Sequence, residues 1–177
     1  MKPFLLILTL LVAWNAQAQL DTTTAAYLRY PSLPPIYLLL ADSTTMYTKE
    51  KIPTNRPVLV MLFSPECSHC QQETESLIAH KGQFRDIQVI MTTTQPLWQM
   101  NDFIKRNRLH ELDFVVVGRD LYYMLPPFYM IRNLPFLGLY NHKGKLIRGL
   151  EGSHGMPAVL KLFKSAGSDR RAESQHR

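Results

Sequence analysis

The chain has 177 residues, 46% of them hydrophobic, and a formal charge of +6. That length suits one domain with a full core, and that composition excludes a disordered chain. The positive charge is scattered, with Lys105, Arg106 and Arg108 in one place and Lys143, Lys145 and Arg148 in another. It forms no basic stripe with interleaved aromatics, which argues against a nucleic-acid partner.

The first residues read as a targeting signal. Lys2 is followed by an apolar run over residues 4–13 and then by Ala16-Gln17-Ala18, the small-x-small pattern of a cleavage site. Cleavage is expected after Ala18, giving an exported, periplasmic chain with no membrane span in the mature part. Residues 19–35 are polar and then proline-rich, and read as an extended lead-in. A strand is expected within 36–41, and turns with a short helical or extended piece over 42–56. Residues 58–63, Val-Leu-Val-Met-Leu-Phe, form a continuous apolar run of the length of a strand buried on both faces.

The next segment, Cys67-Ser68-His69-Cys70, holds the only two cysteines of the chain. A helix is expected from there to about residue 80, ended by Gly82. A strand follows at 87–91. Pro96 can open a helix reaching about residue 108, with Leu97, Met100, Phe103 and Ile104 as its apolar stripe. Residues 114–117 read as a strand. Over 120–130, Pro126-Pro127 is expected to break or kink any helix. A hairpin follows Leu134-Pro135, with strands at 136–140 and 145–149 around the turn Asn141-His142-Lys143-Gly144. A last helix spans about 156–163, and 165–177 reads as a disordered polar tail. The alternation predicts an α/β domain over 36–164, with a mixed, mostly parallel sheet between helices and a terminal hairpin and helix.

A strand, a short turn and a CxxC opening a helix make the geometry of a dithiol redox site. Any intramolecular disulfide must join Cys67 to Cys70, and the loop it closes is too short to stabilise the fold much. Chemistry therefore explains the pair better than structure does. In an exported protein a CxxC is more often a cycling disulfide than a zinc half-site. The histidines at 80, 110, 142 and 154 are dispersed, without metal-ligand spacing.

The strand at 58–63, the segment Ser64-Pro65-Glu66-Cys67-Ser68-His69-Cys70, Leu134-Pro135 and Gly144 together resemble the thioredoxin-like superfamily. More narrowly, they look like its exported TlpA-like and ResA-like branch, and the resemblance spans residues 36–164. It implies a cis bond at Pro135, facing the dithiol, with Leu134 and Pro135 presenting backbone to a substrate. It implies a thiol-disulfide oxidoreductase whose one redox group is the Cys67–Cys70 pair, with no other cofactor and no metal. Cys67 would attack and Cys70 resolve. Partners would be protein thiols or disulfides, among them an apocytochrome or a membrane thiol-electron donor.

The sequence departs from common thioredoxin at two places. Glu66 stands where a tryptophan is usual, and Met61 stands where a buried acid is usual. Glu73 matches a glutamate of the ResA-like branch, one helical turn beyond Cys70, from where it could help manage the dithiol's protons. His69 between the cysteines would favour the Cys67 thiolate and push the pair toward oxidation, while Glu66 opposes that. Reduction is the expected direction. Two other readings compete: a binding module that uses the Pro135 edge with a regulatory or vestigial dithiol, and a peroxidase. The peroxidatic PxxxTxxC pattern is missing, because Pro65 lies too close to Cys67.

Overall fold

The structure is a computed structural model that describes residues 24–175, with side chains through residue 167. The cleavage signal at 1–18 lies outside the described residues. Within the lead-in, residues 24–35 are not simply extended. They carry a short helix, α1 (Ala26–Arg29), and Ser32 bridges to Lys145.

Among the described residues, seven strands form one sheet in the order β2-β1-β5-β4-β3-β6-β7: β1 (Tyr37–Leu39), β2 (Met46–Thr48), β3 (Val58–Leu62), β4 (Gln88–Thr93), β5 (Val115–Arg119), β6 (Phe136–Tyr140) and β7 (Leu146–Glu151). The sheet is mixed, as expected, but its parallel part is confined to the neighbours β3, β4 and β5. Every other pairing is antiparallel. The added antiparallel pair comes from residues 42–56, where the expected short piece among turns is a strand followed by a 3-10 turn. Asp42 makes that hairpin by accepting the N–H groups of Thr44 and Thr45 at 3.1 and 2.8 Å.

All five residues of β3 are buried, because the strand has a core on each side. Leu59, Met61 and the following Phe63 join one cluster, while Val58, Val60 and Leu62 join the other, as the two-residue period of a strand requires. The first cluster is closed by α2 (Ser68–Ala79), α4 (Leu97–Arg106) and α6 (Met156–Gln175), through Leu77, Met100, Phe103, Met156 and Val159. The steps from β3 to β4 and from β4 to β5 run in one direction along the sheet. A fixed crossover handedness then places both connecting helices on the same face. The step from β5 back to β6 crosses the opposite face and carries only α5 (Leu125–Tyr129). The second face is therefore thinly covered, by α5, α1 and the segment around Leu33 and Ile36.

Three local expectations are corrected. Gly82 does not end α2, which ends at Ala79 with His80 as its C-cap. The chain then makes another turn, α3 (Lys81–Phe84), that drives the fully buried Phe84 into the core. Pro126-Pro127 does not break α5 but lies in its first turn, where missing N–H groups cost nothing. Asp120 accepts the N–H groups of Met124 and Leu125 there, at 3.2 and 2.9 Å. The last helix runs on to Gln175 instead of giving way to a disordered tail at Ser165. That stretch contains no proline, and Ala166, Arg170, Arg171 and Ala172 are good helix formers.

Gly118 in β5 lets β1 approach closely. A Cβ built there would sit 2.7 Å from the Cβ of the fully buried Leu38. Gly118→Ala is expected to lower stability by about 1–3 kcal/mol through overpacking, read as a fall in the urea midpoint. An unchanged midpoint would mean that the β1–β2 hairpin simply gives way.

Candidate active site

Cys67 occupies the N-cap of α2, with extended backbone (φ −77°, ψ 117°), and is half-buried. The loop before it is fastened by Gln71, whose side-chain amide donates to the Pro65 carbonyl at 2.9 Å. No acidic residue stands in the first turn of α2. A thiolate at Cys67 would therefore meet the free N–H groups and positive end of the helix without a competing anion in that turn. The Cys67 thiol points across to the loop before β6 and donates to the Leu134 carbonyl at 3.8 Å. The Leu134–Pro135 bond is cis, as the resemblance implied.

Cys70 lies one turn deeper and is fully buried. Both cysteines are free thiols in this structure. Burial, first of all, pushes the Cys70 thiol up from 9.0 to about 12. Its hydrogen bond with Cys67 and the negative charge of Cys67 and Glu73 push the same way, against a lowering contribution from the backbone of Ser64. The sign of the linkage follows. Above pH 9 the unfolded chain loses this proton while the folded chain keeps it, so stability falls as pH rises from 9 toward 12. Urea midpoints of the reduced protein should drop more steeply across that window than those of Cys70→Ala. Parallel curves would refute the shift.

Glu73 is fully buried rather than solvated. Its Oε2 accepts three hydrogen bonds: from the Ser153 hydroxyl at 2.6 Å and from the N–H groups of His154 and Gly155, both at 3.0 Å. Its Oε1 is buried without a partner. The carboxylate thus ties the CxxC helix to the loop that opens α6, and its charge reaches Cys70. Ser76 supports the same junction by accepting the Met156 N–H at 3.0 Å.

Glu66 and His69 stay exposed at the rim. Glu66 accepts from the Gln99 side chain at 3.3 Å, which joins the loop before Cys67 to α4. Next to Gln99 in the chain, Trp98 is 69% exposed. The structure thus gathers Cys67, Cys70, Leu134, Pro135 and Glu73 and leaves His69 facing solvent. Sequence reasoning passed over the Ser153–Gly155 cradle. Its one signal was the glycine pair at 152 and 155, both of which take positive φ here (83° and 73°).

A mixed sheet in this strand order, with a CxxC capping a helix opposite a cis-proline loop, is the thioredoxin-like fold. Solved structures of similar fold agree. A candidate thiol:disulfide interchange protein DsbE from Chlorobium tepidum matches with a TM-score of 0.64 and 16% identity, over 76% of this chain and 94% of its own. A secreted disulfide oxidoreductase from Mycobacterium tuberculosis, homologous to E. coli DsbE, matches at 0.62 and 12% identity, over 73% and 95%. Peroxidoxin BcpB from the same organism matches at 0.63 and 12% identity, over 76% and 94%. No family model and no curated protein matches the chain by sequence.

Proposed function

We propose that the protein is an exported thiol-disulfide oxidoreductase that works in the reducing direction on protein disulfides. The observation that carries this reading is the pairing of a half-exposed Cys67, at a helix N-cap against Leu134, with a fully buried Cys70 one turn below. The Cys67 thiolate attacks a substrate disulfide, and one substrate sulfur leaves as a thiol. Cys70 then gives up its proton and attacks Cys67, the second substrate sulfur departs, and the Cys67–Cys70 disulfide remains. Two electrons pass to the substrate, and a donor dithiol must return them.

The direction rests on the architecture that the resemblance implies. Burial, which pushes the Cys70 thiol up, fits it by adding no stabilised inner thiolate to the reduced state. His69 faces solvent, which weakens the case for an oxidant. Export rests on the leader pattern at 1–18 and on the likeness to a secreted disulfide oxidoreductase. No helix among the described residues is long and apolar enough to cross a membrane. A peroxidase shares the fold, but here the peroxidatic pattern is missing and a second cysteine sits one turn away.

The test is the equilibrium potential of the Cys67–Cys70 pair in dithiothreitol or glutathione buffers, read by thiol alkylation. A value near about −270 mV supports a reductase, and one near about −120 mV makes the protein an oxidant instead. Failure to form any reversible disulfide would leave a binding module.

A further inference from the structure

The thinly covered second face ends, where β3 begins, in a pocket of about 280 Å³. Leu33, Ile52 and Val58, all buried members of that face's core, form its apolar wall. The turn between β6 and β7 bounds it on another side. Gly144 takes left-handed backbone there (φ 69°), and its carbonyl accepts the Leu33 N–H at 2.8 Å. The Leu33 carbonyl in turn accepts from Lys49 Nζ, also at 2.8 Å. Wall and cation are thus held in place before any ligand arrives, which lowers the entropy lost on binding. The dithiol lies beyond the opposite end of β3, so this pocket takes no part in the thiol exchange derived above.

The charge around the pocket has one sign. Lys49, Arg56 and Lys143 line it, with His142 next to Lys143, and no aspartate or glutamate does. Glu50, beside Lys49 in the chain, lies outside the lining. Among the described residues, no carboxylate forms a salt bridge with Lys49, Arg56 or Lys143. The Arg56 guanidinium is steered by the Arg85 carbonyl, to which it donates at 3.5 Å. Like charges gathered at one opening repel each other, and an anion seated among them relieves that cost. Apolar walls strengthen the attraction by displacing water.

We propose that this pocket binds a small organic anion, with a compact apolar body and a single carboxylate, at a site separate from the dithiol. The size sets the body. A cavity of about 150 Å³ already takes benzene. The larger space here admits a ring with a short arm. The charge sets the arm, which carries the carboxylate out to the cations. The planar fork of Arg56 suits a carboxylate, since it can offer two parallel N–H groups. An inorganic anion would leave the apolar wall uncovered, and a neutral ring would leave the cations without a partner. The site stands whether or not the dithiol turns over.

The test titrates the reduced, isotope-labelled mature chain with hydrocinnamate and follows its amide resonances by NMR. The amides of Leu33, Ile52 and Gly144 should shift saturably, with a Kd on the order of a millimolar, while those of Cys67 and Cys70 stay in place. Hydrocinnamyl alcohol, the neutral analogue, and inorganic phosphate should each bind at least about fivefold more weakly. Arg56→Gln combined with Lys143→Gln removes charge without touching the core. That double variant should bind hydrocinnamate about fivefold more weakly and the alcohol as before. Acid and alcohol binding equally well, phosphate binding as tightly as hydrocinnamate, or shifts that never saturate would each overturn the site. So would a folded double variant that binds hydrocinnamate as the unaltered chain does. The comparison of acid with alcohol uses the unaltered chain, so it decides the matter even where the double variant folds poorly.

Discussion

Cys70→Ser is expected to turn the protein from a catalyst into a trap. Cys67 still sits at the N-cap of α2 and still attacks, but no second thiol resolves the mixed disulfide. Covalent adducts should accumulate on non-reducing gels, while turnover falls by on the order of a thousandfold. Cys67→Ser should lose turnover equally and trap nothing, because Cys70 is fully buried and holds its proton. The asymmetry between the two variants is the diagnostic. Equal trapping by both would mean that Cys70 can be reached by substrate and that the burial argument is wrong. No adducts with either would leave the fold as a binding module.

The asymmetry was legible in the sequence, since a CxxC that opens a helix places one sulfur at the exposed end and the other a turn inside. The strand before it was equally clear, because six consecutive apolar residues can satisfy two cores at once. What the sequence hid was set by tertiary contact. The β1–β2 hairpin lies in a stretch with weak apolar alternation, held by Asp42 and by the close approach that Gly118 permits. Pro126-Pro127 read as helix breakers because proline is equally at home inside a turn and at a helix start. Only Asp120, capping from five residues upstream, decides between the two. Glu73 lies between the polar residues Gln72 and Glu75, a pattern that does not single it out for burial. Its burial depends on a loop 80 residues away, which no local pattern encodes.

That burial makes Glu73 the position with the largest expected effect on stability. Glu73→Ala leaves the Ser153 hydroxyl and the His154 and Gly155 N–H groups without their acceptor and opens a cavity against α2. The loss should be about 3–5 kcal/mol in urea unfolding, since several polar groups are orphaned together. Glu73→Gln separates charge from scaffolding. Its side-chain carbonyl can still accept from the cradle, but its amide occupies the site of the unpaired Oε1 and its charge is gone. The negative charge of Glu73 is one of the causes that raise the Cys70 thiol. In a Cys67→Ala background, the Cys70 thiolate absorbance should therefore rise at lower pH with glutamine than with glutamate. A purely structural glutamate would leave that titration in place while the urea midpoint fell. A carboxylate that both pins the helix and acts on the inner thiol must move the two together, and the glutamine variant reads both in one molecule.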